Sequence, residues 1–191
     1  MDGSSALVEI TQASHGVVID MAYAGPRNFT GRPVYESSRC WLHRDAEPRL
    51  ARACEFAALA GLKLKILDAY RSPQAHEMLS RYISDPRYVA DPKKGSNHSR
   101  GVAVDLTLVD RRGRELDMGT AFDTMDERSH HFYPSLPAEV HRNRLLLLAV
   151  MGQAGFDRLD EEWWHYQIPD ARSYPIIRPT DPPAVDPGPW R

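Results

Sequence analysis

Residues 101–108 constrain the fold most, because their apolar side chains recur with the period of two that is typical of a strand. The side chains expected on one face of this strand are Val102, Val104, Leu106 and Leu108. Asp105 falls on the opposite face, where the small neighbour Ala103 leaves room for it. The pattern therefore predicts a core strand that carries a carboxylate on its second face.

Further segments have the periodicity or the boundary residues of regular structure. The predicted strands are residues 16–23, 62–67 and 163–168. The predicted helices are residues 48–60, a helix capped by Ser72 with the apolar face Ala75, Met78, Leu79 and Tyr82, and residues 136–152 capped by Ser135. Because strands and helices do not alternate regularly, they favour an α+β fold with a mostly antiparallel central sheet flanked by helices.

The length of 191 residues suits one domain, which we expect to occupy residues 1–168. Residues 169–191 hold seven of the 15 prolines and can form neither a helix nor a central strand. This tail is expected to pack on the surface or to be disordered. The net charge of −2 gives no basis for attraction to nucleic acid or to an anionic membrane.

The cysteines and the N-terminus bear on the compartment and on the kind of metal site. Cys40 and Cys54 form no CxxC pair, and two cysteines build neither a disulfide framework nor a thiolate zinc site. The first residues have no basic start and no long apolar stretch, so we expect no secretory signal and a cytoplasmic protein.

Two clusters of polar residues carry candidate chemistry. His98 precedes the strand of Asp105, and Gly101 permits a sharp turn between them, so an imidazole and a carboxylate can converge. Downstream, Glu162 and His165 flank a tryptophan pair. An offset of three puts two side chains on opposite faces of a regular strand, so these two share a site only if the chain bends near Glu162.

His98, Asp105 and His165 together supply two imidazoles and one carboxylate, the donor set of a catalytic zinc site with an open position. Glu162 would then be the general base for water. The alternative is that none of the three binds a metal: His98 would be a loop histidine, Asp105 would pair with an arginine, and His165 would pack in the core. Spacing alone does not decide between these two interpretations. Arg71, between a strand and a helix cap, is rigidly placed, but for a lone arginine a surface ion pair is the favoured explanation.

The chain resembles a known family at these residues. The pattern Ser96, His98, Gly101, Ala103 and Asp105, followed far downstream by Glu162 and His165, is similar to the zinc signature of the D-alanyl-D-alanine dipeptidase and carboxypeptidase superfamily. The chain looks most like the VanX-type dipeptidases, and the further matching segments are residues 15–16, 23–24, 28–31, 68–71, 118–119, 122–123, 125–131, 155–156 and 162–166. The resemblance implies a fold like that of the hedgehog and D,D-peptidase proteins.

The resemblance also implies the roles of individual residues. It implies one zinc ion per chain, held by His98, Asp105 and His165, with Glu162 as catalytic base and Arg71 as the cation that stabilises the oxyanion. The remaining implied contacts are Asp123 and Tyr23 on the substrate ammonium and Ser96 on the substrate carboxylate. Tyr35 matches a further family tyrosine near the pocket only if a gap is introduced.

The implied activity is hydrolysis of D-alanyl-D-alanine to two D-alanines, with a small zwitterionic dipeptide as the partner. Arg71 is followed by Ser72 and Pro73, an order more like that of the carboxypeptidase branch. A zinc D,D- or L,D-carboxypeptidase acting on peptidoglycan stem peptides is therefore an alternative, and a non-catalytic zinc-binding recognition module is another. Glycopeptide resistance, wall recycling and dipeptide scavenging remain open as roles, as does the oligomeric state.

The remaining histidines are given structural roles. His43, His76 and His141 stand alone in the sequence and are expected at the surface. The pair His130 and His131 falls in a family-like segment, and we expect it to belong to a structural or pocket-lining loop.

Overall fold

The computed structural model describes residues 6–83 and 95–178. Its strands are β1 (Leu7–Ile10), β2 (Val18–Ile19), β3 (Cys40–His43), β4 (Lys63–Asp68), β5 (Ala103–Val109), β6 (Asp157–Leu159) and β7 (Glu162–Gln167). Its α-helices are α1 (Gln12–His15), α2 (Glu47–Leu59), α3 (Pro73–Ser80) and α4 (Ala138–Gln153). Within these residues, no helix has both the length and the apolar character needed to cross a bilayer.

The strands form a five-stranded sheet in the order β2-β4-β5-β7-β6 and a two-stranded sheet of β1 and β3. Only the short β2–β4 pairing is parallel, and all other pairings are antiparallel. The prediction of an α+β fold with a mostly antiparallel central sheet is therefore confirmed.

The central strand β5 is buried along its whole length. The face predicted to be apolar, which includes Val104, Leu106 and Leu108, belongs to the main core together with residues of α2 and α4 such as Leu50 and Leu147. The helices thus cover one side of the sheet, and the second face of β5 is left to the polar side chains described below.

Local chemistry explains where α3 and α4 begin. The Ser72 hydroxyl accepts a hydrogen bond from the backbone N–H of Ala75, so the predicted cap of α3 is confirmed. The predicted cap of α4 by Ser135 is wrong, because α4 begins at Ala138 with Pro137 as its N-cap. The ring of a proline disfavours helical backbone angles in the residue before it. Leu136 precedes Pro137, so it does not begin the helix.

Two sequence predictions about individual segments need correction, and two strands were missed. The predicted strand 16–23 is reduced to Val18–Ile19, because β2 pairs with β4 over only two residues and a short 3-10 helix, Ala22–Ala24, follows. The strands β1 and β3 were not predicted, since they pair with each other over only four residues each, away from the main sheet. Tyr82 lies beyond the end of α3 and is exposed.

The predicted surface position of His76 is wrong. His76 is 2 % exposed and lies next to Ala75 on the inner side of α3. His131 is also buried. The two Asp-Pro pairs and the glycine within residues 85–97 predict a loop, which is described only from Gly95 onward; its earlier residues lie outside the described ranges.

The proline-rich tail is described as far as Arg178. Ala171 and Ile177 are buried, and the Ile177 N–H donates to the carbonyl of Ser99. This first part of the tail is therefore packed against the segment that leads into β5. The prediction for residues 179–191 lies outside the described residues.

Candidate metal centre

Three buried side chains converge on the second face of the central sheet. The Nε2 atom of His98 lies 3.2 Å from Nδ1 of His165 and 3.3 Å from Oδ1 of Asp105. The same Nδ1 atom of His165 lies 3.0 Å from Oδ1 of Asp105. Two imidazole nitrogens and one carboxylate oxygen are a donor set that suits zinc, and the ligand atoms are close enough together to bind one ion.

Strand pairing brings Asp105 and His165 together. Asp105 of β5 is paired directly with His165 of β7, so the two side chains project from the same face of the sheet. His98 comes from the short 3-10 helix His98–Arg100, which ends at Gly101 with a φ of 69°. A Cβ at Gly101 would lie 2.8 Å from Leu7 Cδ2 and 3.2 Å from the His43 backbone nitrogen, so only glycine fits this turn.

Hydrogen bonds to the far nitrogens orient both imidazoles. Nδ1 of His98 lies 2.7 Å from the carbonyl oxygen of Ala69, and Nε2 of His165 lies 3.1 Å from Oε1 of Gln167. The Asn97 amide donates to the same Gln167 oxygen at 2.7 Å. Each nitrogen that faces an acceptor carries the proton, which leaves Nε2 of His98 and Nδ1 of His165 free to bind a metal. No sequence pattern pointed to Gln167 or Asn97 in this role.

The bend required near Glu162 is present between β6 and β7. Arg158 pairs with Tyr166 but Leu159 pairs with Glu162, so one step along β6 corresponds to four residues of β7. This irregularity turns Glu162 toward the face of His165, and its Oε2 lies 3.9 Å from Nδ1 of His165.

The environment of Glu162 suits proton transfer. Glu162 is 7 % exposed, and burial raises its pKa to about 8, with a further increase from the charges of Asp105 and Asp123 and an opposing effect of His165. A carboxyl group that titrates near neutral pH can both accept and donate a proton. By contrast, the neighbouring imidazoles hold the pKa of Asp105 well below its ordinary value despite burial, so Asp105 stays ionised.

Arg71 lies beside this cluster and is fixed by Asp68. Its Nε and Nη2 atoms donate to Oδ2 of Asp68 at 2.9 and 2.6 Å, and Nη2 lies 3.8 Å from Oδ2 of Asp105. A bulge after Ile66 in β4 sets Asp68 opposite Asp105. Burial opposes the charge of Arg71, but these carboxylates keep its pKa well above the ordinary value.

Tyr35 lies beside Asp68, outside the wall of the cavity. Its hydroxyl donates to Oδ1 of Asp68 at 2.6 Å, and the residue is not among those that line the cavity. Asp68 therefore accepts from both Tyr35 and Arg71. Asp68 begins the segment 68–71, which resembles the family and includes Arg71, but no role was predicted for Asp68 from the sequence.

Asp123 and Tyr23 form a second polar pair. The Tyr23 hydroxyl donates to Oδ2 of Asp123 at 2.7 Å, and the Arg71 guanidinium carbon lies 5.1 Å from the centre of the Tyr23 ring. Burial raises the pKa of Asp123 to about 8, although the hydrogen bond from Tyr23 opposes this increase. Burial likewise raises the pKa of Tyr23 well above its ordinary value, so the phenol keeps its proton.

All eight predicted site residues line one cavity of about 290 Å³: Tyr23, Arg71, Ser96, His98, Asp105, Asp123, Glu162 and His165. Four further polar residues that were not predicted from the sequence lie in its wall, namely His76, Asn97, Gln167 and Arg172. A wider groove of about 1100 Å³ shares Phe29 and Asp123 with this cavity but includes none of the candidate metal ligands. The smaller cavity is therefore the candidate active site.

Known proteins resemble this chain over most of its length. Residues 3–180 match the profile of the Peptidase M15 family, described as D-Ala-D-Ala dipeptidase. The chain is 48 % identical over 177 residues to the D-alanyl-D-alanine dipeptidase of Escherichia coli K12, covering 93 % of this chain and 92 % of that protein. The protein of the same name from Enterococcus faecium is 36 % identical over 82 % of this chain and 88 % of its own length. The one from Streptomyces coelicolor is 33 % identical over 88 % of this chain and 93 % of its own length.

Proposed function

The chain belongs to the D-Ala-D-Ala dipeptidase family of the M15 metallopeptidases, and from this premise we propose that it hydrolyses D-alanyl-D-alanine with one bound zinc ion. As a member of this family it is a peptidase. The observation that carries the finer proposal is the small cavity in which Glu162, Arg71 and Asp123 surround the three candidate metal ligands.

Different residues of the cavity would bind the metal, transfer the proton and stabilise the developing charge. His98, Asp105 and His165 would hold the zinc ion, which when bound polarises the scissile carbonyl and makes water more acidic. Glu162 accepts a proton from the water that attacks this carbonyl and then donates it to the leaving amine. Arg71, already held by Asp68, stabilises the negative charge that develops on the carbonyl oxygen.

The polar groups away from the metal ligands suit a zwitterionic substrate. Asp123, ionised when the substrate ammonium binds, pairs with that ammonium, and Tyr23 holds the Asp123 side chain in position. The Ser96 hydroxyl is available to the substrate carboxylate. A volume of about 290 Å³ suits a very small ligand, and a longer peptide would bury charges or polar groups without partners.

The resemblance of the order Arg71, Ser72, Pro73 to carboxypeptidases has a local structural explanation. Ser72 caps α3 and Pro73 occupies its first position, and neither residue is among those that line the cavity. This order is therefore compatible with a dipeptidase. A non-catalytic zinc module, in turn, needs neither a buried Glu162 nor a buried Arg71.

The test is hydrolysis of free D-alanyl-D-alanine compared with a stem pentapeptide that ends in the same two residues, with the zinc content of the protein measured in parallel. We expect one zinc per chain and cleavage of the free dipeptide, with little cleavage of the pentapeptide. Cleavage of the pentapeptide alone would indicate a carboxypeptidase. Zinc binding without cleavage of either would indicate a recognition module.

A further inference from the structure

A zwitterionic dipeptide carries a carboxylate as well as an ammonium, and Ser96 alone is a weak site for it. The Ser96 oxygen already accepts a hydrogen bond from the backbone N–H of His98 at 3.1 Å, so its hydroxyl has one hydrogen left to donate. A carboxylate has about four acceptor positions. A single neutral hydroxyl therefore leaves most of the carboxylate, and all of its charge, without a partner.

Two guanidinium groups are found among the described residues that line the cavity, those of Arg71 and Arg172. Arg71 is committed elsewhere, because it donates twice to Asp68 and lies close to Asp105. The Arg172 side chain makes no hydrogen bond or ion pair to any part of the chain that the structure describes. Arg172 is exposed, so its charge is available where the cavity opens to solvent.

The backbone of Arg172 is fixed, although its side chain has no hydrogen-bond or ion-pair partner among the described residues. The residue belongs to the short 3-10 helix Ala171–Ser173, in which Ala171 is buried. The Ser173 N–H and hydroxyl both donate to the carbonyl of Asp170 at 2.8 Å, which closes this turn.

The segment of Arg172 also packs beside that of Ser96. The Ile177 N–H donates to the Ser99 carbonyl at 2.9 Å, and the Arg100 guanidinium donates to the Tyr174 carbonyl. The backbone of Arg172 therefore lies on the same side of the cavity as Ser96. Asp123 belongs to a different segment, where its carboxylate accepts a hydrogen bond from Tyr23.

We propose that Arg172 is a specificity-determining residue, which pairs with the carboxylate of the dipeptide next to Ser96 while Asp123 pairs with its ammonium. This inference rests on the proposed function, because it assigns the second charged end of the same substrate. It gives the otherwise unexplained proline-rich segment a role in recognition. Arg172 acts on binding and not on the reacting bond, since the groups that move protons and stabilise charge are Glu162 and Arg71.

The test compares D-alanyl-D-alanine with its C-terminal amide, which lacks the carboxylate charge. The enzymes are wild type, Arg172→Gln, Arg172→Lys and the control Arg142→Gln, which removes an exposed arginine of α4 outside the cavity wall. Loss of one charge-assisted hydrogen bond should raise the KM for the dipeptide about tenfold in Arg172→Gln, with kcat within about twofold of wild type. Arg172→Lys should recover part of the affinity, and Arg142→Gln should behave as wild type.

The amide makes the result specific to the carboxylate. Arg172→Gln should leave the KM for the amide unchanged, so that the wild-type preference for the acid is largely lost. An unchanged KM for the dipeptide, or an equal rise for the acid and the amide, would overturn the role of Arg172 while leaving the dipeptidase proposal intact. If wild-type enzyme does not hydrolyse the dipeptide at all, the proposed function and this inference fail together.

Discussion

Asp123 offers a test of the proposed ammonium site in which the effect on substrate binding is measured separately from the effect on stability. Its backbone has a φ of 60°, a left-handed conformation that asparagine tolerates as readily as aspartate. Asp123→Asn also keeps an oxygen that can accept the hydrogen bond from Tyr23. The substitution therefore removes the ionisable group while leaving the local geometry in place.

The sign and size of the stability effect follow from the pKa of Asp123, which burial raises from 3.8 to about 8. Below about pH 4 the carboxyl group is protonated in both the folded and the unfolded chain, so it has no effect on stability. Between about pH 4 and pH 8 the unfolded chain ionises and the folded chain does not, so the wild type loses stability as the pH rises.

Over the roughly three pH units between the ordinary pKa and pH 7, this loss of stability amounts to about 4 kcal/mol, from about 1.4 kcal/mol for each unit. Asp123 keeps part of its surface open to the cavity, so water reduces this effect. We expect metal-free Asp123→Asn to be about 2 kcal/mol more stable than wild type at pH 7, with most of this difference gone at pH 4.

The assay is urea unfolding of the metal-free proteins at the two pH values, with Asp157→Asn, the same change at an exposed carboxylate of β6, as control. In the zinc-loaded enzyme, Asp123→Asn should lower kcat/KM for D-alanyl-D-alanine roughly 100-fold, because the substrate ammonium loses its charged partner. A stability difference between Asp123→Asn and wild type that is the same at both pH values, or a gain shared by Asp157→Asn, would refute the argument from the buried carboxyl group.

Two further predictions concern groups that act on the metal site and on the reaction. Gln167→Ala removes the acceptor that orients His165, so zinc affinity measured by chelator competition should fall roughly 10- to 100-fold. Gln167→Glu keeps an acceptor and should bind zinc with nearly wild-type affinity. A wild-type zinc affinity for Gln167→Ala would show that Gln167 does not orient His165 for metal binding. Arg71→Lys keeps the charge but loses the paired donation to Asp68. The kcat for D-alanyl-D-alanine should therefore fall roughly 100-fold with little change in KM. A rise in KM with an unchanged kcat would contradict a role of Arg71 in stabilising the oxyanion.

The central strand β5 could be predicted from the sequence because its apolar residues alternate with a period of two. Spacing left the metal-ligand role of His98, Asp105 and His165 open, and the family resemblance supplied it. Alternation along β5 placed Asp105 on the face opposite the core, and the directly paired His165 of β7 lies on that same face. The position of Glu162 could not be derived in this way, because it depends on an irregular pairing of β6 and β7 that no local pattern specifies.

Other parts of the site are set by tertiary packing and not by sequence pattern. Gln167 and Asn97 are 70 residues apart and are ordinary polar residues until the fold joins them to His165. Arg172 lies in a proline-rich segment that composition alone assigns to the surface, and its place in the cavity wall follows from packing against the loop before β5.

The most direct test of the account is the turnover of D-alanyl-D-alanine by zinc-loaded Glu162→Gln, which keeps the size of the side chain but cannot accept the proton. Because the metal ligands are untouched, the variant should bind one zinc per chain like wild type. We predict a kcat about 10³-fold below that of wild type. A zinc-loaded variant that turns over the dipeptide within about tenfold of the wild-type rate would contradict the assignment of Glu162 as the general base.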